Sequence, residues 1–246
     1  MTEKPLGADL ADVLSVTQQG EGDFSRVLVG YTWRWWPALR LLKKLLSKRK
    51  LGRVLFARFL VSAHLADWHP WEDYREFFMS SKSLGGGALL DESHWIDQML
   101  WFFGKPEQVS GFVGSVSDLD ITSDDCVDFL AVYKDGLRVS MHLDIFGRPH
   151  EKTIQIIGSE GVVFWDEQRN QVRFCSIDGE ETVTNFSEDR NFMFQEVAKE
   201  FEKIMSGQTT TTCTWEDGLN VMKIIEAVRL SQLRKKVVPI IKDTVG

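Results

Sequence analysis

Apolar positions along this chain change period several times, and each change marks an expected element. Over residues 6–19, Leu10, Val13 and Leu14 give a modest helical face, which Gly20 and Gly22 would end. Residues 26–30 read as a short buried strand. Residues 33–50 predict a strong amphipathic helix with Trp35, Leu39, Leu42 and Leu46 in one stripe and Arg40, Lys43, Lys44 and Lys48 on other faces. Residues 51–62 read as a strand entered through Gly52, and the polar, aromatic residues 64–78 as a loop. Helical periodicity returns over 88–103 and stops at Gly104-Lys105-Pro106.

The next sixty-odd residues are strand-rich. Val127, Phe129, Ala131 and Tyr133 alternate, Asp135-Gly136 turns the chain, and Leu137, Val139, Met141, Leu143 and Ile145 alternate again, which predicts a hairpin. Its second strand carries Arg138, Ser140, His142 and Asp144 on the opposite face, so one side packs while the other is wet or meets a partner. Shorter strands follow over 153–157, 162–165 and 172–174. Two helices close the chain. The first starts near Ser187 with Phe194, Val197, Phe201 and Ile204 as its stripe, then a polar loop over 209–212 leads to Thr214 and Asp217, which approach a capping box for the second. The expected architecture is an α/β remnant over residues 1–32, then an α+β domain over 33–246 with a large open, mostly antiparallel sheet and helices on one face.

Candidate chemistry concentrates in one stretch. Gly85-Gly86-Gly87 precede a helix that sets Asp91, His94 and Asp97 at successive three-residue spacings. Side chains so spaced project from neighbouring turns of one face. Such a loop and helix also occur with a purely structural histidine. Trp68, His69, Trp71, Tyr74 and Arg75 form an aromatic stretch suited to lining a substrate or to packing. His64, Asp67 and His69 match no standard metal spacing, and no metal is expected.

Composition narrows the class. A formal charge of −7 gives no general attraction to nucleic acid. Cys126, Cys175 and Cys213 are far apart without a C-x-x-C pair, which fits a reducing compartment. With no apolar core of a signal peptide and no run long enough to span a membrane, a cytoplasmic location is expected. The seven basic residues of segment 34–50 would suit a membrane surface, a calmodulin-type partner or a helix laid across a sheet with its lysines in water.

Several linked motifs resemble the Gfo/Idh/MocA oxidoreductases, the glucose–fructose oxidoreductase and inositol dehydrogenase family. Glu3-Lys4-Pro5, Gly30-Tyr31-Thr32-Trp33-Arg34, Leu51-Gly52-Arg53, Gly85-Gly86-Gly87 and His94-x-x-Asp97 occur in the family's order, and Gly147-Arg148-Pro149 and Ile157-Gly158-Ser159-Glu160-Gly161 follow its style. The resemblance implies a dinucleotide-binding domain followed by an open-sheet domain often used for oligomerisation. It implies hydride transfer between NAD or NADP and a secondary hydroxyl of a sugar or cyclitol. In that reading Lys4 and His94 are catalytic, with Asp91 beside them. Glu3, Lys4, Pro5 and Arg34 face the cofactor, and Asp97, Trp68, Tyr74 and Arg75 face the substrate. The family's aspartate usually lies four residues before the histidine; Asp91 lies three before it, a change of roughly 100° in direction on a helix.

This sequence carries no G-x-G-x-x-G after an initial strand and no acidic residue placed for an adenine-side ribose. A rival expectation is therefore a non-catalytic oligomerising or binding module, or a truncated product, without dinucleotide binding. In either case a homo-oligomer through the open sheet is expected, with a small polyol or sugar as the ligand of the enzyme reading.

Overall fold

A computed structural model describes residues 1–20, 23–210 and 212–241. Gly22, part of the expected first helix stop, Thr211 of the expected polar loop and the last residues of the expected 33–246 domain lie outside the described residues. The framework is one nine-stranded open sheet. In chain order its strands are β1 (Val54–Ser62), β2 (Gln108–Gly114), β3 (Cys126–Val132), β4 (Arg138–Asp144), β5 (Glu151–Gly158), β6 (Gly161–Asp166), β7 (Gln171–Ser176), β8 (Glu181–Asn185) and β9 (Val238–Pro239). They lie side by side as β8-β7-β6-β5-β1-β4-β3-β2-β9. Only β1 and β4 run parallel; every other neighbouring pair is antiparallel. The sheet is thus mostly antiparallel and open, as the alternating strands predicted.

Alternation assigns the two faces. Ala57, Phe59 and Val61 on β1, Val139, Met141 and Leu143 on β4, and Ile154 and Ile156 on β5 are buried on one side. That side is covered by α2 (Pro37–Ser47), α3 (Ala88–Asp91), α4 (Ser93–Phe103) and α6 (Trp215–Arg234), while α1 (Leu10–Gln19) packs on α6 and α5 (Arg190–Met205) lies farther out. The other side shows Arg58, Leu60, Asp128, Leu130, Ser140, His142 and Gln155, all exposed or half-exposed. A period of two makes this division automatic once the register is set.

Three expectations change. Residues 26–30 are not a strand: Phe24–Arg26 is a 3-10 turn, and Val29 makes only a single parallel bridge with Thr2. Leu28 and Val29 are nevertheless fully buried, so the apolar run reports burial and not a ladder. The helix expected over 33–50 is split: Thr32–Trp35 is a 3-10 turn, and Pro37 at the first helical position restarts the chain as α2. Ala38, Leu39 and Leu42 of α2 are completely buried, so its apolar stripe is used in the core and its lysines stand outside, as for a helix laid across a sheet. Finally, 88–103 is two helices, because the backbone of Glu92 leaves helical geometry between α3 and α4. The capping box of α6 is complete, with Thr214 and Asp217 bonding each other's backbone N–H.

Candidate functional site

Two of the three glycines are required by close approach, and Gly85 by its positive φ of +79°. A Cβ on Gly86 would sit 2.3 Å from the carbonyl oxygen of Phe78, and one on Gly87, where φ is +124°, would sit 2.5 Å from the Asp124 carboxylate. The loop is therefore wedged between the 78–79 backbone and Asp124. Asp124 in turn holds the start of α3 by accepting from the Leu89 N–H at 2.8 Å. The Asp91 carboxylate reaches back to accept from the Gly87 N–H at 3.0 Å, and the Lys4 ammonium donates to the Asp91 carbonyl. The end of α3 thus ties the N-terminal segment to the glycine loop, and the start of α4 sets His94 beside them.

They face a cavity of about 420 Å³ lined by Lys4, Asp91, Glu92 and His94 together with Trp33, Trp68, His150, Lys152 and Arg190. That volume is within the range of small-molecule sites. His94 is half-buried, with its ring edge-on to Tyr31 at 5.7 Å between centroids, and its Nδ1 is shielded from solvent with no hydrogen-bond partner. A buried imidazole nitrogen left unpaired has capacity for a group entering the cavity.

The cavity's electrostatics shift Lys4, Asp91 and His94 and bring one of them, Asp91, to titrate near neutrality. Burial pushes the Asp91 carboxyl up to about 7 against the pull of Lys4. Burial lowers Lys4, opposed by Asp91, Glu92 and Glu3. Burial, then Lys4, Lys152 and Arg190, hold His94 well below the usual imidazole value, so it is neutral near pH 7. Perturbation of this kind by burial plus named charges is common at reactive sites. It also carries a stability signature. Because Asp91 is raised on folding, its proton stabilises the fold fully below 3.8, and that contribution disappears as pH rises through about 7. Asp91→Asn should flatten stability over that window in urea titrations; an unchanged slope would show that Asp91 ionises as it does in the unfolded chain.

Other expected site residues lie elsewhere. Arg34 and Asp97 are both buried and form an ion pair, with the guanidinium NH2 2.7 Å from Asp97 Oδ1 and Nε 2.9 Å from Oδ2. Arg34 also donates to the Thr212 carbonyl at 2.6 Å and approaches Asp217 Oδ1 at 3.2 Å. Burial drives Asp97 up despite Arg34, whereas Arg34, lowered most by its own burial, still stays above its usual value because Asp97, Cys213 and Asp217 together outweigh that desolvation. The pair ties the 32–35 turn to α4 and α6; neither residue lines the cavity. Tyr74 accepts from the Asp120 N–H, and Arg75 is bound by Asp73, so both are engaged outside the cavity. Trp68 does line it. Glu3 and Pro5 flank Lys4, where Lys4–Pro5 is cis and the Glu3 carboxylate lies near Gly30.

Glu92, His150, Lys152 and Arg190 joined the cavity without any sequence signal, and Trp33, quoted only within the Gly30–Arg34 motif, joined it too. Glu92 accepts from Trp95 Nε1 at 2.9 Å, and Lys152 stands 5.5 Å over the Trp33 ring. Asp67 is held by a two-pronged ion pair to Arg148, at 2.7 Å on each oxygen, which joins the 64–78 loop to the Gly147-Arg148-Pro149 turn at the cavity edge. The latter motif was noted in the sequence, but not its partner.

The profile of the Gfo/Idh/MocA C-terminal domain matches residues 39–164, half of the chain. The chain belongs to the Gfo/Idh/MocA oxidoreductase family. Levoglucosan dehydrogenase, solved with NADH and levoglucosan, superposes with a TM-score of 0.84 at 18% identity, covering 98% of this chain and 73% of that one. An inositol dehydrogenase homologue from Azotobacter vinelandii, solved with NAD+, gives a TM-score of 0.81 at 14% identity over 96% of this chain and 71% of that one. At such identities the likeness is one of fold. Bacillus subtilis YteT, named for a proposed oxidoreductase activity, is 24% identical over 113 residues, which are 46% of this chain and 26% of YteT. The chain's match thus spans about a quarter of that curated relative. Among the described residues no helix is long and apolar enough to cross a membrane.

Proposed function

We propose that this chain forms the substrate side of a nicotinamide-dependent dehydrogenase acting on a secondary hydroxyl of a sugar or cyclitol. The observation that carries it is the meeting of Lys4, Asp91 and His94, whose Nδ1 is buried and unpaired among the described residues, around one cavity. The unpaired nitrogen and the adjacent ammonium suit the reactive end of NAD or NADP and a carbinol; the sequence supplies no phosphate cradle, so the fit concerns that end alone. When bound, the nicotinamide supplies the hydride acceptor or donor. Neutral His94 takes the hydroxyl proton, Lys4 stabilises charge developing on the carbinol oxygen, and Asp91 exchanges a proton near neutrality. Trp33 and Trp68 offer apolar walls, and Lys152, Arg190, Glu92 and His150 offer hydrogen bonds to the other hydroxyls. In this reading residues 1–32 are the edge of a dinucleotide-binding domain, supported by the parallel Thr2–Val29 bridge.

The test is absorbance of reduced nicotinamide at 340 nm, using protein purified from its natural source with NAD+ or NADP+ and a panel of sugars and cyclitols. Turnover is expected; its absence across the panel with both coenzymes would favour the binding-module reading. We further propose that the outer sheet face, with half-exposed Leu60 and Ile157 and exposed Leu130 among polar residues, joins two copies of the chain. Sedimentation should show a dimer or larger at micromolar concentration, and a monomer alone would overturn this.

A further inference from the structure

On the outer sheet face, two cross-strand pairs of β3 and β4 set four donor-bearing side chains in a two-by-two grid. Asp128 stands opposite His142, and Cys126 opposite Asp144. The Asp128 Oδ1 lies 2.8 Å from His142 Nδ1, and the Cys126 Sγ lies 3.6 Å from Asp128 Oδ2. One donor atom from each of Cys126, Asp128 and His142 falls within 4.8 Å of the others. Behind the imidazole, His142 Nε2 lies 3.0 Å from Asp144 Oδ2. Asp144 is buried and fixed in place, its Oδ1 accepting from the Phe146 N–H at 3.0 Å and the Gly147 N–H at 2.7 Å.

We propose that Cys126, Asp128 and His142 bind a divalent transition-metal ion of the zinc class, with Asp144 as the positioning residue behind His142. The donor set is one sulfur, one nitrogen and one oxygen, which zinc accepts in tetrahedral geometry, with metal–ligand distances of roughly 2.0–2.3 Å. Those distances separate ligand atoms by about 3.3–3.8 Å, so the observed grid needs only small side-chain rotations to close on an ion. A carboxylate behind a ligating histidine fixes the tautomer: Nε2–H donates to Asp144, and Nδ1 is left to face the metal.

His142 pairs with both acids, and the buried Cys126 thiol donates to the same Asp128 carboxylate. The three side chains leave a fourth coordination position open toward the exposed face, for water or for a group from a neighbouring molecule. Sequence spacing hides the site, because Cys126-x-Asp128 and His142-x-Asp144 become adjacent only through strand pairing. The site is separate from the Lys4–His94 cavity and independent of the function proposed for it.

The test uses Co2+ and Zn2+ as probes of the metal-free protein. Titration with Co2+ should give a near-ultraviolet thiolate-to-metal charge-transfer band that saturates at about one equivalent per chain. Zn2+ should abolish the band by displacement, and competition with a chromophoric chelator gives its affinity. Cys126→Ser should remove the band. Asp144→Asn should keep it while weakening Zn2+ about 10- to 100-fold. Cys175→Ser, a change on distant β7, should leave both unchanged. Far-ultraviolet circular dichroism of the metal-free variants establishes folding; if Cys126→Ser does not fold, Asp128→Asn with the thiol intact should weaken binding in its place. No charge-transfer band in the wild-type protein, or a band and affinity retained in Cys126→Ser, would overturn the proposal and leave His142 as an ion-pair bridge only.

Discussion

Replacing His94 with asparagine should lower kcat of the proposed dehydrogenase by about 10²- to 10⁴-fold, the contribution typical of a positioned general base. The expected loss is in the chemical step. Among the described residues His94 Nδ1 has no hydrogen-bond partner, so its removal orphans none of them, and the melting temperature should stay close to wild type. Substrate KM should change less than kcat, because the carbinol retains Lys4 and the tryptophan walls. Measuring kcat, KM and the pH profile of the variant against wild type checks all three points. A variant that keeps the wild-type turnover and pH profile would remove His94 from the mechanism.

The second large effect concerns stability. Arg34→Ala should destabilise the chain by about 3–5 kcal/mol, since breaking a buried pair leaves an uncompensated charge. The carboxylate left behind is Asp97, which is fully buried, and Asp217 also loses its cationic neighbour. For a chain of this size each kcal/mol shifts the melting temperature by about 2–4 °C, so calorimetry should show a fall of roughly 6–20 °C. Arg34→Met combined with Asp97→Leu should recover much of the loss, because a matched apolar pair avoids the desolvation that the ions must offset. A single variant within about 1 kcal/mol of wild type, the range of an exposed pair, would show that the pair is not buried in solution. The prediction also separates this pair from the cavity: Arg34 acts by holding the 32–35 turn against α4 and α6, not by touching a ligand.

Legibility followed the locality of the signal. The β3–β4 hairpin was readable because two alternating runs flank an Asp-Gly turn, and the α6 start because Thr214 and Asp217 satisfy each other's backbone within four residues. Strand β8 was missed: its five residues are mostly exposed, with no buried face to impose alternation. The 26–30 run misled, since Leu28 and Val29 are buried by tertiary contact while their backbone makes only one bridge. The break at Glu92 gave no composition cue either, because Glu92 is a residue helices accept.

The sequence by itself determined the elements with strong periods, the glycine loop ahead of a helix, and, through the family resemblance, the nomination of Lys4, Asp91 and His94. Tertiary structure alone decided which charges share a volume. Lys152 reaches the cavity from the start of β5, Arg190 from the start of α5 and Trp33 from a 3-10 turn, while Arg34 and Asp97 are drawn away into each other. Strand pairing alone likewise brought Cys126 and Asp128 to His142. The reason is physical: local periodicity records which face of an element is buried, whereas the neighbour across that face is set by the register of segments distant in sequence.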